Sequence, residues 1–269
     1  MDSIVINGGK TLNGSIKISG AKNAVLPMMS AALLADGVST LSNVPKLRDT
    51  KTMASLIEVT GAKVNLNFPE MSIDGGTIHS QEAPYDLVRT MRASFYMLGP
   101  LLGRFGKAKI SLPGGCAWGP RPVDIHIKAL KKMGASIQLK GGYVIAECSK
   151  LKGTDIRFDF PSVGATGNVL MAAATAKGTT KIENAAMEPE IVQLCEMLSL
   201  MGAEIEGTGT SRLSVHGVQK LDPVNIRVIP DRIEAGTFLI AGALSGEITL
   251  ENVVADHLTA LLEKLDSDI

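Results

Sequence analysis

One thiol, one guanidinium and the chain's only tryptophan fall within Pro113-Gly114-Gly115-Cys116-Ala117-Trp118-Gly119-Pro120-Arg121-Pro122. Glycines and prolines on both sides of Cys116 disfavour helix and interior strand, so the sequence predicts a loop that carries the thiol. The thiolate is the reactive form, and a free cysteine with a pKa of about 8.5 needs nearby positive charge to ionise near neutrality. Arg121 is a candidate supplier of that charge. The alternative at this point is a tight connection in which the Gly-Gly-Cys turn packs on itself beside the tryptophan.

Other charged residues gather at expected helix starts. Lys22-Asn23 follow Ser19-Gly20-Ala21. A cation at a glycine-led helix N-terminus sits beside free N–H groups and a positive dipole, which suits a phosphate or carboxylate; the other reading is a solvated surface lysine. Arg89 and Arg92 flank Thr90-Met91 before another helix, as a second cationic helix start or as one exposed face. Asp231-Arg232-Ile233-Glu234 precedes a further helix, as an anion-facing start or a local ion pair. Behind the cysteine loop, Arg121-Pro122-Val123-Asp124-Ile125-His126 leads into a helix expected over 123–133. Pro122 suits its first turn, Asp124 is expected to cap it, and His126 is expected at the surface. Cys195 lies in an apolar helical stripe and is expected in the core, while Cys148 lies beyond a strand end.

Several classes are disfavoured. There is no GxxxxGK[ST], no GxGxxG after a strand and no metal-ligand cluster, so no P-loop or Rossmann site, metal or other cofactor is expected. Three cysteines without a CxxC pair argue against a disulfide framework and for a reducing compartment. Lys+Arg and Asp+Glu both number 27, and this balance gives no reason to expect nucleic acid or an anionic membrane as partner. The N-terminal residues show no signal peptide, and the most apolar stretch, 24–35, is too short to span a bilayer and contains Pro27. A cytoplasmic protein is the expectation.

The elements that must position these residues recur. Ala21, Ala93, Ala165 and Ala235 open four similar segments at intervals of 72, 72 and 70 residues, each leading to a short alternating strand. Gly61, Gly134 and Gly202 mark a second repeated feature, the end of an amphipathic helix and the start of a strand. Each unit therefore reads as an Ala-rich helix, a strand, a second helix and a strand pair around a glycine turn such as Asp74-Gly75-Gly76 or Lys140-Gly141-Gly142. Alternating helices and strands make the class α/β. Hydrophobic residues are 45% and aromatics only 4%, so the core must be Ala, Val, Ile, Leu and Met, which suits tightly packed helices on sheets. The fourth unit stops at Asp268-Ile269, before its expected strand pair, so a truncated product or a chain continued elsewhere is expected.

Six motifs in order then carry a resemblance: Ile18-Ser19-Gly20-Ala21-Lys22-Asn23-Ala24; Thr90-Met91-Arg92-Ala93-Ser94; Leu112-Pro113-Gly114-Gly115-Cys116-Ala117 with Arg121-Pro122-Val123-Asp124; Ser162-Val163-Gly164-Ala165-Thr166; Glu183-Asn184-Ala185-Ala186 with Glu188-Pro189-Glu190; and Pro230-Asp231-Arg232-Ile233-Glu234-Ala235-Gly236-Thr237. Together they resemble the UDP-N-acetylglucosamine enolpyruvyltransferases over essentially the whole chain. The resemblance implies an inside-out α/β barrel of repeated units, with one complete catalytic domain over 22–229 and part of a second domain from 1–21 and 230–269. It implies transfer of the enolpyruvyl group of phosphoenolpyruvate to the 3′-hydroxyl of UDP-N-acetylglucosamine, with release of phosphate, as the first committed step of peptidoglycan synthesis.

By the same resemblance Cys116 acts as general acid toward the enolpyruvyl methylene carbon, can hold a thioether adduct, and is the target of fosfomycin. Lys22 and Asn23 match the phosphoenolpyruvate-binding pair, and Arg92 and Arg121 match cationic substrate ligands. Arg121, Pro122, Val123, Asp124 and Ile125 match the segment that grips the uridine diphosphate. Phe160 stands where some members carry a nucleotide-contacting lysine, and the family's proton-accepting aspartate belongs to a fifth or sixth unit that has no counterpart in these residues. A related shikimate-pathway transferase, which lacks the loop cysteine, and a non-catalytic nucleotide-sugar-binding fragment are the alternatives.

Overall fold

A computed structural model describes residues 3–88, 91–112 and 123–267. After a first strand β1 (Leu12–Lys17), the first unit comprises α1 (Lys22–Ala31), β2 (Val38–Ser42), α2 (Arg48–Val59), β3 (Lys63–Asn67) and β4 (Glu70–Asp74). The second comprises β5 (Glu82–Ala83), α3 (Tyr85–Val88), α4 (Leu98–Phe105), β6 (Lys107–Ser111), α5 (Asp124–Lys132), β7 (Ser136–Lys140) and β8 (Tyr143–Glu147). The third comprises β9 (Asp155–Arg157), α6 (Val163–Ala173), β10 (Thr179–Glu183), α7 (Pro189–Leu200), β11 (Glu204–Glu206) and β12 (Arg212–His216). Then follow β13 (Asn225–Arg227), α8 (Arg232–Ser245), β14 (Gly246–Glu251) and α9 (Thr259–Ser267).

Helices α1, α4 and α6 are apolar on nearly every side, and such helices can only be stable when surrounded. They are: 24–31 of α1, 98–103 of α4 and 165–173 of α6 are all buried. Small residues allow this close approach. Gly99 on α4, for example, leaves no space for a Cβ, which would lie 2.4 Å from the Asn168 carbonyl oxygen of α6. The second helix of each unit is amphipathic; α2 buries Met53, Leu56 and Ile57 and exposes Lys51, Ser55 and Glu58.

The sheets lie outside these helices. Their orders are β13-β2-β4-β3, β5-β6-β8-β7 and β9-β10-β12-β11, one topology used three times. Alternating burial along β2 and β10 turns one sheet face to the helices and one to solvent. The expected arrangement of helices inside and sheets outside is therefore present, built from separate four-stranded sheets among the described residues.

Two parallel pairings tie the chain's ends together. β13 follows the third unit but pairs with β2 of the first, and β1 precedes the first unit but pairs with β14. The chain crosses itself between these pairs, with Ala21 N–H donating to the Ile229 carbonyl at 2.7 Å and Asp231 N–H to the Ser19 carbonyl at 2.9 Å. At this crossing a Cβ on Gly20 would sit 1.8 Å from the Asn43 carbonyl oxygen, so only glycine fits. Beyond it, Ile18, Ala235 and Leu258 form a small apolar cluster apart from the main core.

The repeat marks special backbone positions. Gly61, Gly134 and Gly202 take φ of +93°, +97° and +106° after their helices, as their C-terminal position predicts. Asn43, Asn184 and Asn252 follow β2, β10 and β14 with φ of 58°, 59° and 57°. Each side-chain amide donates to a carbonyl just past the parallel partner strand: Val228 at 2.8 Å, Phe158 at 3.0 Å and Ile18 at 2.6 Å. One turn differs from expectation. β3 and β4 are joined by Phe68-Pro69, whereas Asp74-Gly75-Gly76 follows β4 as a short turn in which the Asp74 carboxylate accepts from Gly76 N–H. Gly75 is required there by packing, since its Cβ would lie 2.4 Å from the Ala35 carbonyl oxygen.

Candidate functional site

The central helices start at one end of the bundle, and their N-terminal halves surround a cavity of about 680 Å³. Lys22, Asn23 and Leu26 of α1 line it, with Phe95 and Tyr96 before α4 and Val163, Gly164 and Asn168 of α6. Val123, Ile125 and His126 close another side, and Phe160 stands at the rim, half exposed. The N-termini of α1 and α6 turn positive partial charge toward this space.

Of the residues singled out in the sequence, Lys22, Asn23, Val123 and Ile125 meet at this cavity. Asp124 is not among the lining residues; its carboxylate is exposed, makes no capping bond among the described residues, and pairs one turn on with Lys128 at 3.2 Å. The backbone of Arg92 begins a short 3-10 helix, Arg92–Met97, ahead of α4. The Arg92 side chain and all of Cys116, Arg121, Pro122 and Arg89 lie outside the described residues.

Lys22 is held differently from the expectation. Its backbone N–H is taken by the Asp231 carboxylate at 3.1 Å, so the start of α1 is already capped by an anion from the other end of the chain. The other oxygen of Asp231 accepts from Ile233 N–H at 2.9 Å and Glu234 N–H at 3.0 Å, so one carboxylate caps both α1 and α8. The Lys22 ammonium remains half exposed at the cavity, 3.7 Å from Asp49. Arg232 is neither anion-facing nor locally paired; it forms a two-pronged bond to Glu190 of α7 at 3.0 and 3.3 Å, and Glu190 is 4% exposed.

His126 is the larger correction. Instead of an exposed surface group it is half-buried in the cavity wall, edge-on to the Phe95 ring at a centroid distance of 5.0 Å and against Gly164. Asn168 fixes its proton. The Asn168 side-chain oxygen Oδ1 accepts from Gly99 N–H at 2.7 Å, so its side-chain nitrogen Nδ2 must donate both to the Phe95 carbonyl at 3.0 Å and to His126 Nδ1 at 2.9 Å. Nδ1 is thus an acceptor, and the neutral ring carries its proton on Nε2. Burial, only partly offset by Asp124, pushes the imidazole pKa down to about 4. Burial first, then Glu188 and Glu190, pushes the Tyr96 hydroxyl up, so it stays protonated. The cavity floor is therefore neutral and donor-rich, with its cation at the edge.

Asp49, Tyr96 and Asn168 escaped the sequence reading. For Asn168 the available signal was a lone amide within a mostly apolar helix. Cys195 is fully buried as expected, and its thiol is pushed up to about 11 chiefly by that burial. Among the described residues no group of three His, Cys, Asp or Glu side chains could hold a metal, and no helix is long and apolar enough to cross a membrane.

Residues 6–268 match the EPSP synthase (3-phosphoshikimate 1-carboxyvinyltransferase) family. The chain is 56% identical to UDP-N-acetylglucosamine 1-carboxyvinyltransferase of Chloroherpeton thalassium, over 98% of this chain and 62% of that protein. It is 53% identical to the enzyme of that name from Wolinella succinogenes, over 99% and 64%. The chain thus spans somewhat less than two thirds of these curated relatives. Among solved structures, the enolpyruvyl transferase NikO of Streptomyces tendae matches with a TM-score of 0.80 at 25% identity, covering 91% of this chain and 58% of that one. An EPSP synthase of Acinetobacter baumannii shares the fold, with a TM-score of 0.74 at 22% identity, over 91% and 57%.

Proposed function

The chain belongs to the EPSP synthase (3-phosphoshikimate 1-carboxyvinyltransferase) family, and from that premise we propose that it serves enolpyruvyl transfer from phosphoenolpyruvate to UDP-N-acetylglucosamine. One observation carries this choice within the family: relatives that share half or more of this sequence bear the UDP-N-acetylglucosamine name, whereas the EPSP synthase structure shares about a fifth. The cavity supports it. A trianionic substrate and a diphosphate need positive charge and hydrogen-bond donors, and Lys22, the N-terminus of α6 and His126 line one space.

In this reading Lys22, Asn23, Arg92 and Arg121 bind the phosphate and carboxylate of phosphoenolpyruvate. Pro122, Val123, Asp124 and Ile125 hold the uridine diphosphate. The sugar 3′-oxygen bonds to C2 of phosphoenolpyruvate, giving its proton to a base from outside these residues, while Cys116 delivers a proton to C3; the C2–O bond to phosphate then breaks, phosphate leaves, and a C3 proton returns to the Cys116 thiolate to form the enol ether. Residues 22–229 form the catalytic domain, and 1–21 with 230–269 belong to a second one, divided at the Gly20–Pro230 crossing. The setting is cytoplasmic peptidoglycan synthesis.

The discriminating experiment is calorimetric titration of the chain with UDP-N-acetylglucosamine and, separately, with shikimate 3-phosphate. Saturable binding of the nucleotide sugar, weakened at least about tenfold by Lys22→Ala in the presence of phosphoenolpyruvate, is expected on loss of one charge-assisted contact. Preference for shikimate 3-phosphate would overturn the reading.

A further inference from the structure

We propose that a second cavity, at the opposite end of the helical bundle, is a binding site for a small phosphate-class oxyanion. It has a volume of about 320 Å³ and is lined by Asp36, Arg104, Lys150, Thr175, Gln219 and Lys220 among others. These residues come from all three units: Asp36 follows α1, Arg104 ends α4, Lys150 follows β8, Thr175 follows α6, and Gln219 and Lys220 follow β12. The helices that begin at the first cavity end here, so the two sites stand roughly the length of α6 apart, about 16 Å at 1.5 Å per residue.

Three cations face one carboxylate. The Arg104 side chain is only 19% exposed, and its burial lowers its pKa, the mark of a charge short of solvation. Its Nη1 donates to the carbonyls of Leu33, Ala35 and Gly75 at 2.8, 2.7 and 2.8 Å. Those carbonyls belong to the helix ends and turns that would otherwise repel an anion, so the guanidinium masks them. Nη2 stands 3.7 Å from Asp36 Oδ1, beyond hydrogen-bonding reach, and so has donors to offer. Lys150 and Lys220 are exposed at the mouth and form no ion pair among the described residues.

The independent observation is Thr175. It is 4% exposed, and its hydroxyl has no hydrogen-bond partner among the described residues although it lines this cavity. Buried hydroxyls without partners are rare; this one lies against Gly103 at the cavity wall, and a small turn of the Thr175 side chain brings it to an incoming oxygen acceptor. A tetrahedral oxyanion can accept from Arg104 Nη2 and the two ammonium groups, and from Thr175 Oγ1 once that side chain turns, and the volume leaves room for a small organic body on a phosphate ester.

The test is an amide NMR titration of the whole chain with inorganic phosphate and, in a second arm, with glycerol 3-phosphate. Both are repeated on Lys150→Ala/Lys220→Ala and on Thr175→Val, which leave Lys22 and the first cavity intact. Saturable shifts at Gly103, Gln219 and Lys220, weakened at least tenfold in the double variant and severalfold in Thr175→Val, are expected. Tighter binding in the second arm would identify a phosphate ester as the ligand, and equal or weaker binding the free ion. Absence of saturable shifts at those amides, or shifts that persist unchanged in the double variant, would overturn the proposal. So would a Thr175→Val protein that is more stable yet binds phosphate as well as the parent, because the hydroxyl would then be only a packing defect.

Discussion

Lowering the pH should destabilise this protein through one imidazole. The unfolded chain protonates His126 near pH 6.5, whereas in the fold the ring holds out until about pH 4. A depressed histidine pKa means that folding favours the neutral form, so the associated stability is complete above pH 6.5 and is lost as pH falls toward 4. A gap of about 2.5 units at 1.36 kcal/mol each makes the loss about 3 kcal/mol, a large share of the 5–15 kcal/mol of a typical domain. The structural cause is specific: Nδ1 accepts from Asn168, whose other bonds forbid it to turn round, so a proton on Nδ1 must break that contact. The control is His126→Asn, which keeps an acceptor near Nδ1 and removes the titration. Urea unfolding at pH 7, 5.5 and 4 should show the parent losing about 3 kcal/mol more than the variant, other titrations being common to both. Carbon-13 spectra should place the His126 titration near pH 4, well below the ordinary histidine value of about 6.5. A His126 pKa near 6.5, or equal losses in the two proteins, would refute the tautomer assignment.

Further outcomes follow from the same geometry. Asn184→Gly removes one side-chain bond but tolerates the positive φ, and should cost about 1 kcal/mol in urea unfolding; Asn184→Ala adds left-handed strain and should cost about 2. Gly20→Ala puts a Cβ 1.8 Å from a carbonyl oxygen at the crossing, and soluble yield and Tm should collapse, whereas Gly134→Ala, with nothing within 4 Å, should cost only about 1 kcal/mol of backbone strain. Asp231→Ala removes one carboxylate from two helix starts at once and should cost about 2 kcal/mol, twice a single cap, by urea unfolding.

The repeat was legible in the sequence because it rests on positions where backbone geometry leaves little choice. Gly61, Gly134 and Gly202 end helices with positive φ, and the Ala-rich segments had to be interior because no face of them could meet water. The candidate site was legible only in part. Lys22, Asn23, Val123 and Ile125 announced themselves by type and place, but their company depends on the long-range packing of three helices. His126 looked like a surface group because nothing within its own helix reveals that Phe95, from ahead of α4, and Asn168, from the third unit, pack against it. Asp231 looked local for the same reason: its second partner, Lys22 N–H, lies 209 residues away, across the chain crossing. The Asp74-Gly75-Gly76 segment was read as a hairpin turn because glycines serve both turns and close contacts, and only the Ala35 carbonyl distinguishes the two uses.

The most direct test of the enolpyruvyl-transfer account is the intact mass of this chain after incubation with phosphoenolpyruvate and UDP-N-acetylglucosamine, beside a Cys116→Ala control. The account predicts a phosphoenolpyruvate adduct that maps to Cys116, grows with the nucleotide sugar present and is absent from the control. An unmodified chain under saturating substrates, or an adduct that survives in Cys116→Ala, would contradict it.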